Sequence, residues 1–502
     1  MKNKLSPEFL FSTQDGFESA LMGSYSLARD EWSWNSGGLM YAPMFAGTDL
    51  CVTGFEHSHI VAFQEYGDAV NSSQAIVRGY WRWAYRLIAN TSEIINQCSA
   101  SDKNIWKSEI LKRRVEAEAR FLRAYAYYYL AYLYGDVPIV DGVSREYRID
   151  FVRDSRDSVL QFAIDDLLFA EEHLAEVPSF TGQIVKAAAQ HKLAELYLTF
   201  GSSVFSPESA EKELSKIIDA GVYSLAKNRF GASANEPGDV FSDLFVEANQ
   251  NICSENIWVM QQEWQVQGGG EAENSDWSRR AWVPYYANIN GMVLADSLGG
   301  RGLGRLVPLV SWVESYEASD MRVSKYNIRR NYFYNDTTNK ELYGKPVPIT
   351  TETIDNGSLY VSTTKCNYGK TDVDPTQINN LKDRIKIRLA ETYLLLAEAH
   401  MYQGELEGAA RAINEVRGRA NATPILASDV DMDFILDERA RELFAEYPRR
   451  ITLIRTNTLI SRVKQYNPVS KSTIKDFNVL WPIPQEVIDS NTGTGFPQNK
   501  GY

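Results

Sequence analysis

The side chains best placed to do chemistry in this chain are aromatic. Trp264, Trp277, Trp282, Tyr285 and Tyr286 stand in polar, glycine-bearing sequence among Asn, Ser, Gly and Arg. A packed core accounts for aromatics at helical spacing, such as Tyr125 and Tyr393, but accounts less well for a cluster in aperiodic sequence. Sugars have apolar C–H faces and polar rims. A rigid ring stacks on the former while Asp, Asn, Arg or backbone groups bond the latter. The cluster therefore nominates a glycan platform. The competing structural reading is that the same rings pack an irregular subdomain onto the rest of the molecule.

Sequence signatures of covalent chemistry are missing. There is no HExxH, no G-x-S-x-G and no P-loop. Gly299–Gly304 reads GGRGLG, completes no G-x-G-x-x-G and follows no convincing strand, so it reads as a turn. Among five histidines, His57 and His59 are spaced to share one face of a strand as metal ligands, with no third ligand evident. Carboxylates are plentiful, but no motif nominates a pair. A glycoside hydrolase would need two of them roughly 5–9.5 Å apart across a cleft. Binding without catalysis, cofactor or metal is the expectation.

The 502 residues carry 52 basic and 65 acidic side chains, a net charge of -13. That balance argues against nucleic acid or an anionic membrane as the main partner, and it suits a neutral ligand. Cys51, Cys98, Cys253 and Cys366 stand far apart without CxxC spacing and read as isolated buried thiols, although one or two disulfides stay open if the chain is exported. No run of 18 or more apolar residues is long enough to span a bilayer, and MKNKLSPEFLF lacks the apolar region of a signal peptide.

The elements that must position the aromatics are mostly helical. Residues 15–29 read as an amphipathic helix, and Trp32–Tyr66 as a long loop. Ser72–Gln97 returns to helix, with Trp81 and Trp83 assigned to the core. From Glu116 to Val140 the chain is apolar over most of a helical circumference, with a tyrosine-rich flank and a narrow strip of Glu116, Arg120 and Arg123. Gly135 and Pro138 stop that helix. Asp157–Glu176, Ile184–Phe200 and 208–220 continue as helices. Ile387–Ala420 has the form of a tetratricopeptide repeat, with Ala397, Tyr402, Gly404 and Ala409 at the small, aromatic and turn positions, and must stack on neighbours to bury its face. Asp433–Arg455 reads as a further helix. Between the helical parts, Gly221–Arg384 is irregular, with strand-like runs at Asn256–Met260 and Ser358–Thr363 and a helical period near Leu306–Glu317. The domain reading is a helical part at 1–220, with a loop region at 30–70, an irregular ligand-binding insert at 221–384, and a helical part at 385–502.

Four separated stretches carry a family resemblance. Ala117–Ala124, the Tyr127–Tyr129 run and Tyr134–Pro138 resemble the signature helix of the SusD/RagB family, and Trp81, Tyr85, Ile88 and Asn90 resemble a preceding helix. Glu438, Arg439, Glu442, Leu443, Glu446, Arg449, Leu453 and Arg455 match a third motif, with Tyr447, Arg450 and Thr452 departing where the family has Gly, Trp and Asp. Pro482–Pro484, Ile488, Asn491, Gln498, Asn499, Gly501 and Tyr502 match the family's terminal motif, with Lys500 in place of Pro. The resemblance implies a mainly α fold, a tetratricopeptide-like scaffold with an inserted irregular α+β subdomain. It also implies a surface lipoprotein of the outer membrane whose signal peptide and lipidated cysteine have been removed. Such a protein captures an oligosaccharide or polysaccharide for a partner TonB-dependent transporter. Ligand aromatics in the family lie in two loop regions, one before the Trp81 helix and one in the insert. The expected glycan-binding residues are therefore Trp277, Trp282, Tyr285 and Tyr286 from the insert, with Tyr66 and Asp49 from the first loop. A helical scaffold without glycan binding, or a peptide-binding member of the same uptake system, is the alternative.

Overall fold

The computed structural model describes residues 7–35, 38–55, 58–142, 148–263, 269, 276–367, 376 and 382–502. Trp264 and His57 lie outside the described residues. Helices dominate. Those of seven or more residues are α1 (Gln14–Arg29), α2 (Ser58–Glu65), α3 (Ala75–Ala100), α4 (Glu109–Tyr134), α5 (Arg156–His173), α6 (Lys186–Tyr197), α7 (Pro207–Asp219), α8 (Leu389–Tyr402), α9 (Leu406–Arg419), α10 (Met432–Leu443), α11 (Arg449–Arg455) and α12 (Leu459–Tyr466). Strands of three or more residues are β1 (Cys51–Thr53), β2 (Asn256–Met260), β3 (Leu306–Pro308) and β4 (Arg384–Arg388).

Helix α4 is the axis. Ser108 caps it by accepting from Leu111 N, and Gly135 ends it at φ +73°, where a side chain would be strained. From Val115 to Tyr134 every residue except Arg120 is buried, with α3 and α5 packed beside it. Its polar groups must therefore find partners inside the protein. Glu118 accepts from Tyr25 Oη (2.6 Å), Gln183 Nε2 (2.8 Å) and Arg114 Nη1 (2.9 Å). The tyrosine flank is anchored likewise, Tyr125 donating to Glu31 and Tyr128 to Glu195, both at 2.7 Å.

From α3 to α7 each helix packs on the next. The chain then leaves for the insert and returns as α8, which packs on α7. Ala194, Leu198, Ala210, Leu214, Leu395 and Ala399 form the shared core of that joint. The two helical parts are thus one continuous stack, and the repeat read at Ile387–Ala420 buries its face as a solenoid unit must. Gly404, at φ +79°, makes the turn from α8 to α9.

Three stretches differ from the sequence reading. Trp32–Tyr66, read as loop, contains β1 and α2. Leu306–Glu317, read as helical, is β3 followed by a five-residue helix, Val310–Glu314, because Pro308 interrupts the period. Asp433–Arg455 is two helices, separated where Ala445 takes φ +63° and Pro448 precedes α11.

The family-pattern departures have local causes. Tyr447 donates to Glu195 and bonds Tyr128 Oη, tying the α10–α11 connection to α4 and α6. Arg450 donates to the carbonyls of Pro43 (2.6 Å) and Ala46 (2.9 Å), so it holds the first loop from within. The terminal motif docks on the end of α4: Trp481 N donates to Leu133 O (2.6 Å), and Asn499 Nδ2 to Tyr134 O (2.9 Å) and Trp481 O (2.7 Å).

The insert is fastened to the stack by pairing of β2 with β4 and by buried charge. Glu442 accepts from Arg388 (2.5 Å) and Arg322 (3.0 Å), and also from Arg419. Glu438 accepts from Arg322 (2.7 Å), Arg417 (2.8 Å) and Arg441 (2.8 Å). All four cysteines are buried as thiols. Among the described residues, no helix is long and apolar enough to cross a membrane.

Candidate functional site

The first loop and the insert meet through backbone. Strand β1 pairs antiparallel with β3, Cys51 opposite Pro308 and Thr53 opposite Leu306. Beyond the strand the contact continues, with Phe55 N donating to Gly304 O (2.9 Å) and Tyr285 N to Gly357 O (2.9 Å). Three stretches converge on Gly54, Gly304 and Gly357. A Cβ on Gly54 would lie 2.3 Å from Gly304 O, and one on Gly304 2.0 Å from Gly357 O. Gly304 and Gly357 also take φ of +55° and +68°. Only glycine permits this approach, and its result is that side chains from both loops emerge together.

What emerges is an aromatic pair rimmed by arginines. Phe55, 38% exposed, and half-buried Tyr285 meet edge to face with centroids 5.4 Å apart. The Arg305 guanidinium covers Phe55 at 5.0 Å. Trp277 is half-buried just before the short helix Ser278–Trp282, with the Arg280 guanidinium over its ring at 4.4 Å. Burial, and then the like charges of Arg301, Arg305 and Arg279, push the Arg280 guanidinium down to about 10. It stays charged at neutral pH.

The other expected residues lie inside. Trp282 is 0% exposed, edge-on to Phe45 (5.1 Å) and Phe444 (4.9 Å). Tyr286 belongs to a satellite core with Val283, Met292, Tyr332, Val347 and Leu359, and its hydroxyl donates to Gly300 O at 2.8 Å. Tyr66 is buried and donates to Gly47 O at 2.8 Å. Asp49 is buried between Arg449 (2.6 and 2.9 Å) and Arg462 (2.6 Å). Burial opposes its charged form, but the two guanidinia outweigh that and hold the carboxyl below its usual range. A ring must show a face to stack on a sugar, so these four residues are brought to the structure behind the surface and not to the surface itself. Of the six, Trp277 and Tyr285 reach it. Phe55 and the arginines carried no signal in the sequence beyond membership of the two loops.

Two other features bear on ligands. A concavity of about 490 Å³ is lined by Trp81, Tyr85, Val140, Arg148, Phe151 and Phe496 and bordered by the Arg82–Glu486 ion pair. None of the six expected residues lines it. Glu211, His400 and Glu405 offer three ligand atoms within 4.8 Å of one another. Internal hydrogen bonds already engage them, His400 with Glu405 (3.0 Å) and Gln403 with Glu211 (2.7 Å).

Known proteins resemble this chain over most of its length. Residues 254–502 match the family model described as the SusD family, and residues 27–198 match one described as starch-binding associating with outer membrane. SusD-like protein P25 of Formosa agariphila is 24% identical, with 97% of this chain and 92% of that protein covered. Starch-binding protein SusD of Bacteroides thetaiotaomicron is 26% identical over 79% of this chain and 74% of its own. Among solved structures, a laminarin binding SusD-like protein superposes with a TM-score of 0.76 at 21% identity, covering 98% of this chain and 100% of that one. Surface glycan-binding protein A from Bacteroides thetaiotaomicron, in complex with laminarihexaose, has a TM-score of 0.76 at 18% identity, covering 97% and 99%. At such identities the superpositions establish the mainly α, tetratricopeptide-like fold.

Proposed function

Because this chain belongs to the SusD family, we propose that it captures an oligosaccharide or polysaccharide at the outer membrane and delivers it to a partner TonB-dependent transporter. An N-terminal lipid anchor would keep it at the cell surface. The observation that carries the reading is the Phe55–Tyr285 pair, two rings from separate loops joined edge to face at the surface. The pair offers planes for sugar C–H faces, and the guanidinia beside it offer fixed donors for the polar rim. Trp277, half-buried under the Arg280 guanidinium, is a further partly exposed ring of the insert. No bond is made or broken. Capture requires several modest contacts, because stacking on an open surface buries little area and ordering a flexible chain costs entropy. The helical stack would present a broad face to the transporter, as solenoid scaffolds commonly do.

A glycan array with the purified protein, followed by titration calorimetry on each hit, tests this. The expected result is a hit that Phe55→Ala with Tyr285→Ala abolishes while the melting temperature holds. A blank array with folded protein would overturn the glycan reading and leave a peptide ligand or a scaffold role.

A further inference from the structure

Away from the platform, Glu211 on α7, His400 near the end of α8 and Glu405 just before α9 place three ligand atoms within 4.8 Å of one another. Among the described residues this is the one group of three or more His, Cys, Asp or Glu that meets so closely. Packing of α7 on α8 assembles it, and Gln403 Nε2 reaches Glu211 Oε2 (2.7 Å) across 192 positions of chain. Local structure sets the other two members. Gly404, at φ +79°, reverses the chain so that Glu405 N donates to His400 O (2.8 Å). The Glu405 side chain does not cap α9, and its carboxylate turns back to His400 Nδ1 (3.0 Å). The imidazole lies against Gly408, where a Cβ would fall 3.0 Å from its Cγ and 3.1 Å from its Nδ1, so the bare glycine leaves the ring its room. Glu211 is half-buried, while the His400 and Glu405 side chains are 14% and 58% exposed, so solvent reaches the group from one side.

Hydrogen bonds account for two pairs, His400 with Glu405 and Gln403 with Glu211, and not for the meeting of the pairs. The buried His191–Glu391 contact is built differently, because Arg439 meets the charge of Glu391 at 2.7 Å. A cation between Glu211, His400 and Glu405 would satisfy all three at once. Zinc holds its ligands at about 2.0–2.2 Å, which spaces them about 3.4 Å apart in a tetrahedron. The 3.0 Å between His400 and Glu405 is already near that spacing, and a spread of 4.8 Å is within reach of side-chain rotation. We propose that Glu211, His400 and Glu405 bind a divalent transition-metal ion of the zinc class, with water in the fourth position and Gln403 orienting Glu211 from outside. The imidazole sets the class, since calcium and magnesium take oxygen donors. The chain leaves for the insert after α7 and returns at α8, so the ion fastens the two ends of the insert to each other. This site is independent of the glycan reading.

Zinc chloride titrated by calorimetry into chelator-treated full-length protein tests the site. The expected result is one ion per chain, with affinity lowered roughly tenfold or more by His400→Ala and by Glu211→Gln. At a hundredfold excess over its dissociation constant, zinc should raise the melting temperature of the native protein by about 2 °C or more and leave that of His400→Ala unmoved. Glu208→Gln, on an exposed position of α7 outside the group, should bind zinc as the native protein does. Should His400→Ala fail to fold, Glu405→Gln carries the same test from an exposed position. Equal zinc affinity in the native protein and the folded variants would overturn the proposal. So would calcium chloride binding more tightly than zinc, or no zinc binding up to about 1 mM, which is weaker than a built three-ligand site should be.

Discussion

Asp49 and Arg449, 400 positions apart in the chain, are joined by two charge-assisted hydrogen bonds of 2.9 and 2.6 Å. Arg462 donates to the same carboxylate, so one buried acid pins the first loop to α11 and α12. The contact explains how a loop without helical period is held rigidly enough to present Phe55.

Replacing Asp49 by Asn would leave two buried guanidinia facing a neutral amide. Breaking a buried pair from one side costs about 3–5 kcal/mol. We expect the guanidinium chloride midpoint of Asp49→Asn to fall accordingly, with glycan affinity of the folded fraction little changed. Loss of binding at native stability would instead make Asp49 a ligand residue.

Trp282 and Phe55 should respond in opposite ways. Trp282→Ala empties a fully buried site between Phe45 and Phe444, and such truncations cost about 3–5 kcal/mol. Phe55→Ala removes an exposed ring and should shift stability by less than about 1 kcal/mol, while lowering glycan affinity. Melting curves paired with calorimetry on both variants decide this, and a stable Trp282→Ala that fails to bind would reverse the assignment.

Gly357→Ala should damage the platform without touching a ligand. Its Cβ would fall 2.3 Å from Gly304 O and 2.6 Å from Phe55 N, at φ +68°. The left-handed backbone alone costs about 1–2 kcal/mol with a side chain. We expect a lower melting temperature together with weakened binding, whereas Gly344→Ala, also at positive φ but with open space around it, should spare binding.

Acid should loosen the insert. Burial works against charge on Glu438, but Arg322, Arg441 and Arg417 outweigh it and hold the carboxyl down to about 2, against 4.5 in an unstructured chain. A depressed carboxyl contributes fully above the unfolded value and loses its contribution as pH falls through the folded one. Stability should therefore decline progressively between about pH 4.5 and pH 2. Glu438→Gln should be less stable at pH 7 and show a flatter decline. Denaturant midpoints at pH 7, 5, 3.5 and 2.5 would reveal it, and an unchanged slope in the variant would remove Glu438 from the cause.

Much of this protein is local, and local physics is written in the sequence. Apolar periodicity, the cap at Ser108 and the stops at Gly135 and Gly404 depend on residues within a turn or two, so the main helices and their order follow from the chain alone. Residues of the α4 signature and of the tail likewise carried the family resemblance. Exposure is not local. Whether Trp282, Tyr285 or Phe55 shows a face to solvent depends on what packs over it, and the packing comes from Phe444, Gly304 and Gly357 in distant segments. The same holds for charge: Asp49 reads as a ligand in isolation and becomes a clamp only when Arg449 and Arg462 arrive. Tertiary structure alone therefore decided which aromatics reach the surface and which arginines lie against them.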